Sequence, residues 1–114
     1  MRKNALEKSG LFFRSNVNGW SLGDEFVVHG NTLVCRNVKI KKGLNEFKIA
    51  DAYWRDVDLG CSGNIMLYHN YEMTQHGCNC RLEARFDYTV NVFLYKKDDG
   101  MFVMRIVAPR RRLK

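Results

Sequence analysis

The chain has two tryptophans, and both fall outside the stretches in which apolar residues alternate with polar ones. Trp20 follows Asn18-Gly19 in one polar loop, and Trp54 follows Tyr53 in another. An aromatic ring in such a loop either covers one end of the core or offers a flat face on which a ligand can stack. A lone tryptophan more commonly covers the core, so the case for a binding site depends on the two rings acting together.

Lys48 is a polar residue that the strand pattern directs away from the core. Residues 45–50 read as a strand, in which successive side chains point to opposite faces. Phe47 and Ile49 therefore share one face, and Lys48 and Ala50 share the other. We expect the first pair to be buried and Lys48 to be accessible.

Sulfur and imidazole groups gather in the twenty residues from Cys61 to Cys80, which also contain His69, His76 and Cys78. Thiolates and imidazoles are zinc ligands. However, Cys78-x-Cys80 does not have the usual C-x-x-C spacing, although strand alternation would place both side chains on one face. No cofactor is predicted, and a zinc site stays an alternative to scattered core and loop residues.

The elements that must position these residues are β-strands. Nine glycines and one proline separate short apolar runs, and no window shows a sustained 3.6-residue period. This pattern predicts an all-β domain, either a sandwich or a barrel. The predicted strands are residues 11–14, 25–29, 32–40, 45–50, 57–59, 65–71, 79–86, 88–95 and 101–107, with hairpin turns at Gly30-Asn31 and Asp98-Asp99-Gly100.

Alternation within these strands also predicts the core. Besides Phe47 and Ile49, the residues expected to be buried are Val34, Val38, Ile40, Val90, Val92 and Leu94. Cys35 is also expected to be buried, because its strand is rich in apolar residues.

Length and composition limit the organisation of the chain. With 114 residues we expect one domain: an extension at 1–10, a β-sandwich at 11–108 and a basic tail at 109–114. No apolar run approaches the length of a membrane span, and the start of the chain lacks the apolar segment of a secretion signal. We therefore predict a cytoplasmic location, no membrane contact and four reduced thiols.

The order of several fragments resembles a known family. The run FFRSNVNGW at 12–20 is followed by Gly43, by NEFKI at 45–49 and by Trp54. This order resembles the starch- and glycogen-binding carbohydrate-binding modules. These include the N-terminal modules of pullulanases and branching enzymes and the glycogen-binding domain of the AMP-activated kinase β-subunit. The resemblance implies a small immunoglobulin-like β-sandwich and non-catalytic binding of an α-glucan.

The resemblance also assigns roles to individual residues. It implies that Trp20 and Trp54 stack on glucose units and that Lys48 donates hydrogen bonds to hydroxyl groups. A late asparagine would complete the carbohydrate site. Asn79 is the better match, and Asn64 is the second choice. A glycan-metabolising enzyme is a further expected partner.

Two other classes of function stay open. The net charge of +7, with Tyr53, Trp54, Tyr68 and Tyr71 as stacking residues, would suit nucleic acid. A sandwich that has lost sugar binding could instead be a protein-interaction module. Catalysis is not predicted, because the sequence lacks a nucleophile elbow, a phosphate-binding loop and a convincing pair of carboxylates.

Overall fold

A computed structural model describes residues 7–109, which form ten β-strands and no α-helix. The strands are β1 (Glu7–Ser15), β2 (Glu25–His29), β3 (Thr32–Ile40), β4 (Gly43–Ala50), β5 (Asp58–Gly60), β6 (Asn70–Glu72), β7 (Thr74–Gln75), β8 (Cys80–Ala84), β9 (Tyr88–Lys96) and β10 (Phe102–Val107). Among these residues no helix has the length and hydropathy needed to cross a membrane.

Antiparallel pairing joins the strands in the order β6-β10-β9-β3-β2-β1-β4-β5-β7, and β8 pairs with β4. One hydrophobic core takes side chains from both halves of this order, so the sheet folds over on itself into a nearly closed sandwich. The all-β sandwich predicted from the sequence is confirmed.

The alternation correctly identified the core. Phe47, Ile49, Val90, Val92 and Leu94 are all completely buried, and the predicted core residues of β3 are also buried. The rings of Phe13 and Phe47 stack with centroids 4.5 Å apart and tie β1 to β4.

Ala50, which alternation places on the face opposite Phe47, is also buried. It has a strand on each side, with Phe12 opposite it on β1 and Asp58 opposite it on β5. The outer face of β4 is therefore covered at its end, which alternation within one strand cannot indicate.

The largest differences from the predicted strand bounds are at the start of β1 and in residues 65–69. β1 begins at Glu7, so residues 7–10 of the expected extension belong to the first strand. Residues 65–69 are not a strand, because Tyr68 takes a positive φ of 68° that interrupts extended structure. Residues 1–6 and the basic tail from 110 to 114 lie outside the described residues.

The prediction of four reduced thiols is wrong, because Cys61 and Cys80 form a disulfide with a Cα–Cα distance of 4.7 Å. Cys35 is buried, and burial, aided by Asp24 and Glu25, raises the pKa of its thiol to about 12. Disulfides persist mainly in oxidising compartments. The cytoplasmic location, which was predicted together with reduced thiols, stays a prediction.

Cys78 is exposed whereas Cys80 is buried, so the two do not share a strand face as predicted. β8 begins at Cys80, and alternation does not extend back to Cys78. The Cys78 carbonyl instead accepts a hydrogen bond from the Cys61 amide, at 2.9 Å.

Candidate functional site

The candidate site is built on the outer face of β1 and β4. Arg14 of β1 lies directly opposite Lys48 of β4. Directly opposed residues of antiparallel strands project from the same face. Asp58 continues this face on β5, where it lies opposite Ala50. We call the surface formed by Arg14, Lys48 and Asp58, with the loops above it, the β1–β4 face.

Both tryptophans meet at this face. Their ring centroids are 6.1 Å apart, and the ring planes are tilted by 52°. Both residues are half-buried, so each indole keeps part of its surface open to solvent. The structure thus brings Trp20 and Trp54 together. A binding site that uses both rings requires this proximity.

The loop that carries Trp20 is organised by Asn18. The Asn18 side-chain oxygen accepts hydrogen bonds from the Ser15 and Ser21 amides, at 3.0 and 3.2 Å. Its amide nitrogen donates to the Asp24 carboxylate at 2.8 Å. Trp20 ends the turn with a φ of 58°, a left-handed conformation that is rare for a bulky residue.

The loop that carries Trp54 is organised by Asp51. Its carboxylate accepts four backbone N–H groups, those of Tyr53, Arg55, Asp56 and Val57, at 2.7–3.1 Å. The hydrogen bonds from Val57 and Arg55 contribute most to holding the pKa of Asp51 well below its usual value. Trp54 also has a φ of 58°.

Arg14 links the two loops. Its Nε donates to the Trp20 carbonyl at 2.8 Å, and its Nη1 donates to the carbonyls of Asp51 and Ala52, both at 3.1 Å. The centre of its guanidinium lies 4.1 Å from the centroid of the Trp54 ring. Sequence reasoning missed Arg14, since its importance follows from the pairing of β1 with β4.

Contrary to the prediction, most of the Lys48 side chain is covered, and only 12% of it is exposed. Its Nζ lies 2.6 Å from Asp58 Oδ1, and the other Asp58 oxygen lies 3.1 Å from Nδ1 of His76. Burial raises the pKa of Asp58, but hydrogen bonds and charge attraction from Lys48 and His76 outweigh it and hold that pKa below its usual value. Lys48 is therefore an ion-paired residue of this face rather than a free cation.

Asn79 lies at the level of Lys48, because the next residue, Cys80, is opposite Phe47. The Asn79 side chain is half-buried and donates to Glu46 Oε1 at 3.1 Å. Asn64, the second choice, is exposed and lies in a bridge beside Arg81.

Two neighbouring groups were assigned to other functions by the sequence, Tyr53 to nucleic-acid stacking and His76 to a zinc site. Tyr53 is 78% exposed in the same loop as Trp54. His76 reaches the site because its amide donates to the Asp58 carbonyl, at 2.6 Å. Like both tryptophans, His76 has a positive φ.

The alternative of a zinc site loses its main ligands. The sulfurs of Cys61 and Cys80 are bonded to each other and cannot serve as thiolates. Within residues 7–109, no three side chains of His, Cys, Asp or Glu come together as a metal ion would require.

A groove of about 1030 Å³ lies elsewhere, between residues 64–67, 82–89 and 108–109. It has a pair of aromatic side chains, Phe86 and Tyr88, with ring centroids 5.6 Å apart. None of Trp20, Lys48, Trp54 and Asn79 lines it. Size alone would favour this groove, and its lining includes the polar residues Asn64, Glu83 and Asp87, so the choice of the β1–β4 face rests on the tryptophan pair.

No protein-family model matches the sequence, and no curated protein matches it significantly. The fold is similar to that of a solved structure described as the ligand-induced structure of AmyP-SBD, a starch-binding domain. The TM-score is 0.67 and the sequence identity is 13%, over 89% of this chain and 73% of that one. At this identity the likeness establishes a shared fold.

Proposed function

We propose that the domain is a non-catalytic module that binds α-glucan on the β1–β4 face. The proposal rests mainly on the paired indoles of Trp20 and Trp54, 6.1 Å apart at 52°. Positive φ angles in both residues add support, since strained backbone concentrates at functional sites. Similarity to the AmyP starch-binding domain supports the ligand class.

The chemistry of a glucose unit suits this arrangement. A sugar ring has two faces of C–H groups and a rim of hydroxyls, so it needs aromatic surface and polar groups together. Two indoles at an angle can contact successive units of a chain that is not straight. Covering each sugar ring contributes about 1–2 kcal/mol by area, which predicts a dissociation constant in the micromolar to millimolar range.

Each residue has a defined role in the proposal. The Arg14 guanidinium occupies one side of the Trp54 ring, so a sugar would stack on the remaining exposed surface. The small exposed part of the Lys48–Asp58 pair, 12% of one side chain and 13% of the other, offers a donor and an acceptor to hydroxyl groups. Asn79 offers its amide beside them, and Tyr53 extends the aromatic surface.

Nucleic-acid binding is less well supported. Tyr71 lies in β6 and Tyr68 near β10, whereas Tyr53 and Trp54 follow β4, so these aromatic residues are carried by different elements. Several basic side chains are already paired with carboxylates: Lys48 with Asp58, Arg81 with Glu46, and Lys97 with Glu72.

Titration with maltoheptaose and β-cyclodextrin, followed by tryptophan fluorescence and NMR shifts, tests the proposal. We expect saturable binding that Trp54→Ala weakens at least about tenfold, since one stacking ring is lost. Phe86→Ala is the matched control, because Phe86 is an exposed aromatic in the separate groove. Absence of binding at millimolar glucan would refute the proposal.

Salt dependence separates the two ligand classes. Binding to phosphate weakens steeply as ionic strength rises, whereas binding to a neutral sugar should barely respond. A glycan-metabolising enzyme is the protein partner we propose for such a module, which would bring that enzyme to its polymer.

A further inference from the structure

We propose that Arg14 is the positioning residue that assembles the tryptophan pair, by holding the two loops at a set distance from each other. The part of this inference that concerns glucan affinity rests on the proposed function. The part that concerns the geometry of the two indole rings does not depend on any ligand.

The contacts of Arg14 join parts of the chain that are distant in sequence. It lies six residues before Trp20 but 37 and 38 residues before Asp51 and Ala52, and it bonds to the backbone carbonyls of all three. Its fourth contact is with the Trp54 ring itself. A single side chain thus contacts both tryptophan-bearing loops.

Arg14 stands on a strand that is paired with β4. Arg14 itself lies opposite Lys48, and the pairing of β1 with β2 ends two residues earlier, at Phe12. The loops after β1 and β4 have other hydrogen bonds, within each loop and to strands: Asn16 joins the Trp20 loop to β4, and Gln75 of β7 donates to the Asp56 carbonyl of the Trp54 loop. Within residues 7–109, Arg14 is the side chain that bonds to both loops.

The pattern of donors requires a guanidinium. Three carbonyls are met by two nitrogens of one planar fork, while the flat face lies against an indole. No carboxylate of residues 7–109 forms an ion pair with Arg14. Its charge is thus directed to loop carbonyls and an aromatic ring, a combination that a lysine ammonium cannot reproduce.

Strain in the loops explains why such a residue is needed. Trp20 and Trp54 both hold a left-handed φ of 58°, which costs free energy for any side chain other than glycine. Such conformations persist when surrounding contacts outweigh the strain. Without Arg14 we expect the loops to relax and the rings to separate, so that glucan binding must also order them.

Two substitutions test the role. Arg14→Lys keeps the charge and Arg14→Gln keeps a hydrogen-bond donor, but neither keeps the fork. The first measurement uses no ligand: two close, tilted indoles couple their electronic transitions and give a paired positive and negative circular-dichroism signal. We expect the wild type to show this couplet, Trp20→Phe and Trp54→Phe to lack it, and both Arg14 variants to lose most of it.

The second measurement is maltoheptaose affinity. We expect both Arg14 variants to bind about tenfold more weakly, because the ligand must now order two loops. Melting temperature should fall by no more than about 5 °C, since the core is untouched. Arg81→Lys is the control, because Arg81 pairs with Glu46 beside the site without bonding to either loop.

The outcomes are separable. A couplet that persists in both Arg14 variants overturns the inference, as does unfolding of both variants, which would assign Arg14 to the whole fold. Loss of the couplet in a chain whose wild type ignores glucan would support the positioning role and refute the proposed function. Loss of affinity with an intact couplet would make Arg14 a direct ligand contact and overturn the inference.

Discussion

Trp20 and Trp54 come within 6.1 Å of each other although their loops leave opposite ends of the antiparallel β1–β4 pair. This is possible because the ends are close: Ser15 is opposite Phe47, and Phe12 is opposite Ala50. Each loop then folds back over the four paired residues of β1, Phe12 to Ser15, and meets the other loop above Arg14. The short paired segment of β1 and β4 thus defines the width of the site.

Removing Lys48 should destabilise the fold as well as the site. Lys48→Ala leaves the Asp58 carboxylate, itself 13% exposed, without its cation, and we expect a loss of about 1–3 kcal/mol in the free energy of unfolding. Urea denaturation measures this. In a double-mutant cycle with Asp58→Asn, the two losses should not add; additive losses would show that the pair is not coupled.

Asp51 should make stability depend on acid pH. Its pKa is lowered on folding from an ordinary value of 3.8, so its stabilising effect is complete above that value. The effect is lost as pH falls below 3.8 towards the folded pKa. We expect Asp51→Asn to melt below the wild type at neutral pH, because an amide cannot accept all four N–H groups. The gap should narrow as pH falls through this range, and a constant gap would contradict the assignment.

Asp58 titrates in the same direction and could obscure that result, since its pKa is also lowered. The Asp58→Asn background removes this contribution. The destabilisation caused by Asp51→Asn in that background should keep the same pH dependence.

The disulfide predicts a definite count of thiols. Unfolded, unreduced protein should react with a thiol reagent at two cysteines, Cys35 and Cys78, rather than four. Native protein should react rapidly at one, because Cys35 is buried. Reducing the Cys61–Cys80 bond, which spans 19 residues, should cost about 2–4 kcal/mol in stability. Four reactive thiols without reductant would contradict the bond.

Gly60 should not tolerate a side chain. A Cβ at this position would lie 2.1 Å from the carbonyl oxygen of Cys78, so the two backbone segments would have to move apart. We expect Gly60→Ala to lower stability by about 1–3 kcal/mol or more. Gly23→Ala is the control, because its Cβ would meet just Ser21 Oγ at an ordinary 3.4 Å. Equal stability of the two variants would show that the close approach is absent.

Much of the fold was predictable because it depends on local pattern. Alternation placed β2 and β3 at their correct bounds and buried Phe47 and Val92, since a half-buried strand must alternate. The same reliance on local pattern wrongly predicted a strand over the whole of residues 65–71. Apolar residues of this segment enter the core from a turn, and a period-two pattern cannot distinguish such a turn from a strand.

The candidate site was predictable in part. The types and loop positions of Trp20 and Trp54 predicted that the two rings act together, and the structure places them 6.1 Å apart; their stacking on a ligand stays a prediction. The accessibility of Lys48 was wrong because its partner, Asp58, comes from a strand that lies beside β4 only after folding.

The sequence by itself determined most of the strands, most of the core and the presence of two loop tryptophans, because period, glycine placement and residue type act over a few neighbours. Tertiary structure alone decided which residues meet: Arg14 with two loops, Lys48 with Asp58, and Cys61 with Cys80. These contacts join segments that are far apart in the chain, and their geometry follows from strand order and register, which short-range pattern does not encode.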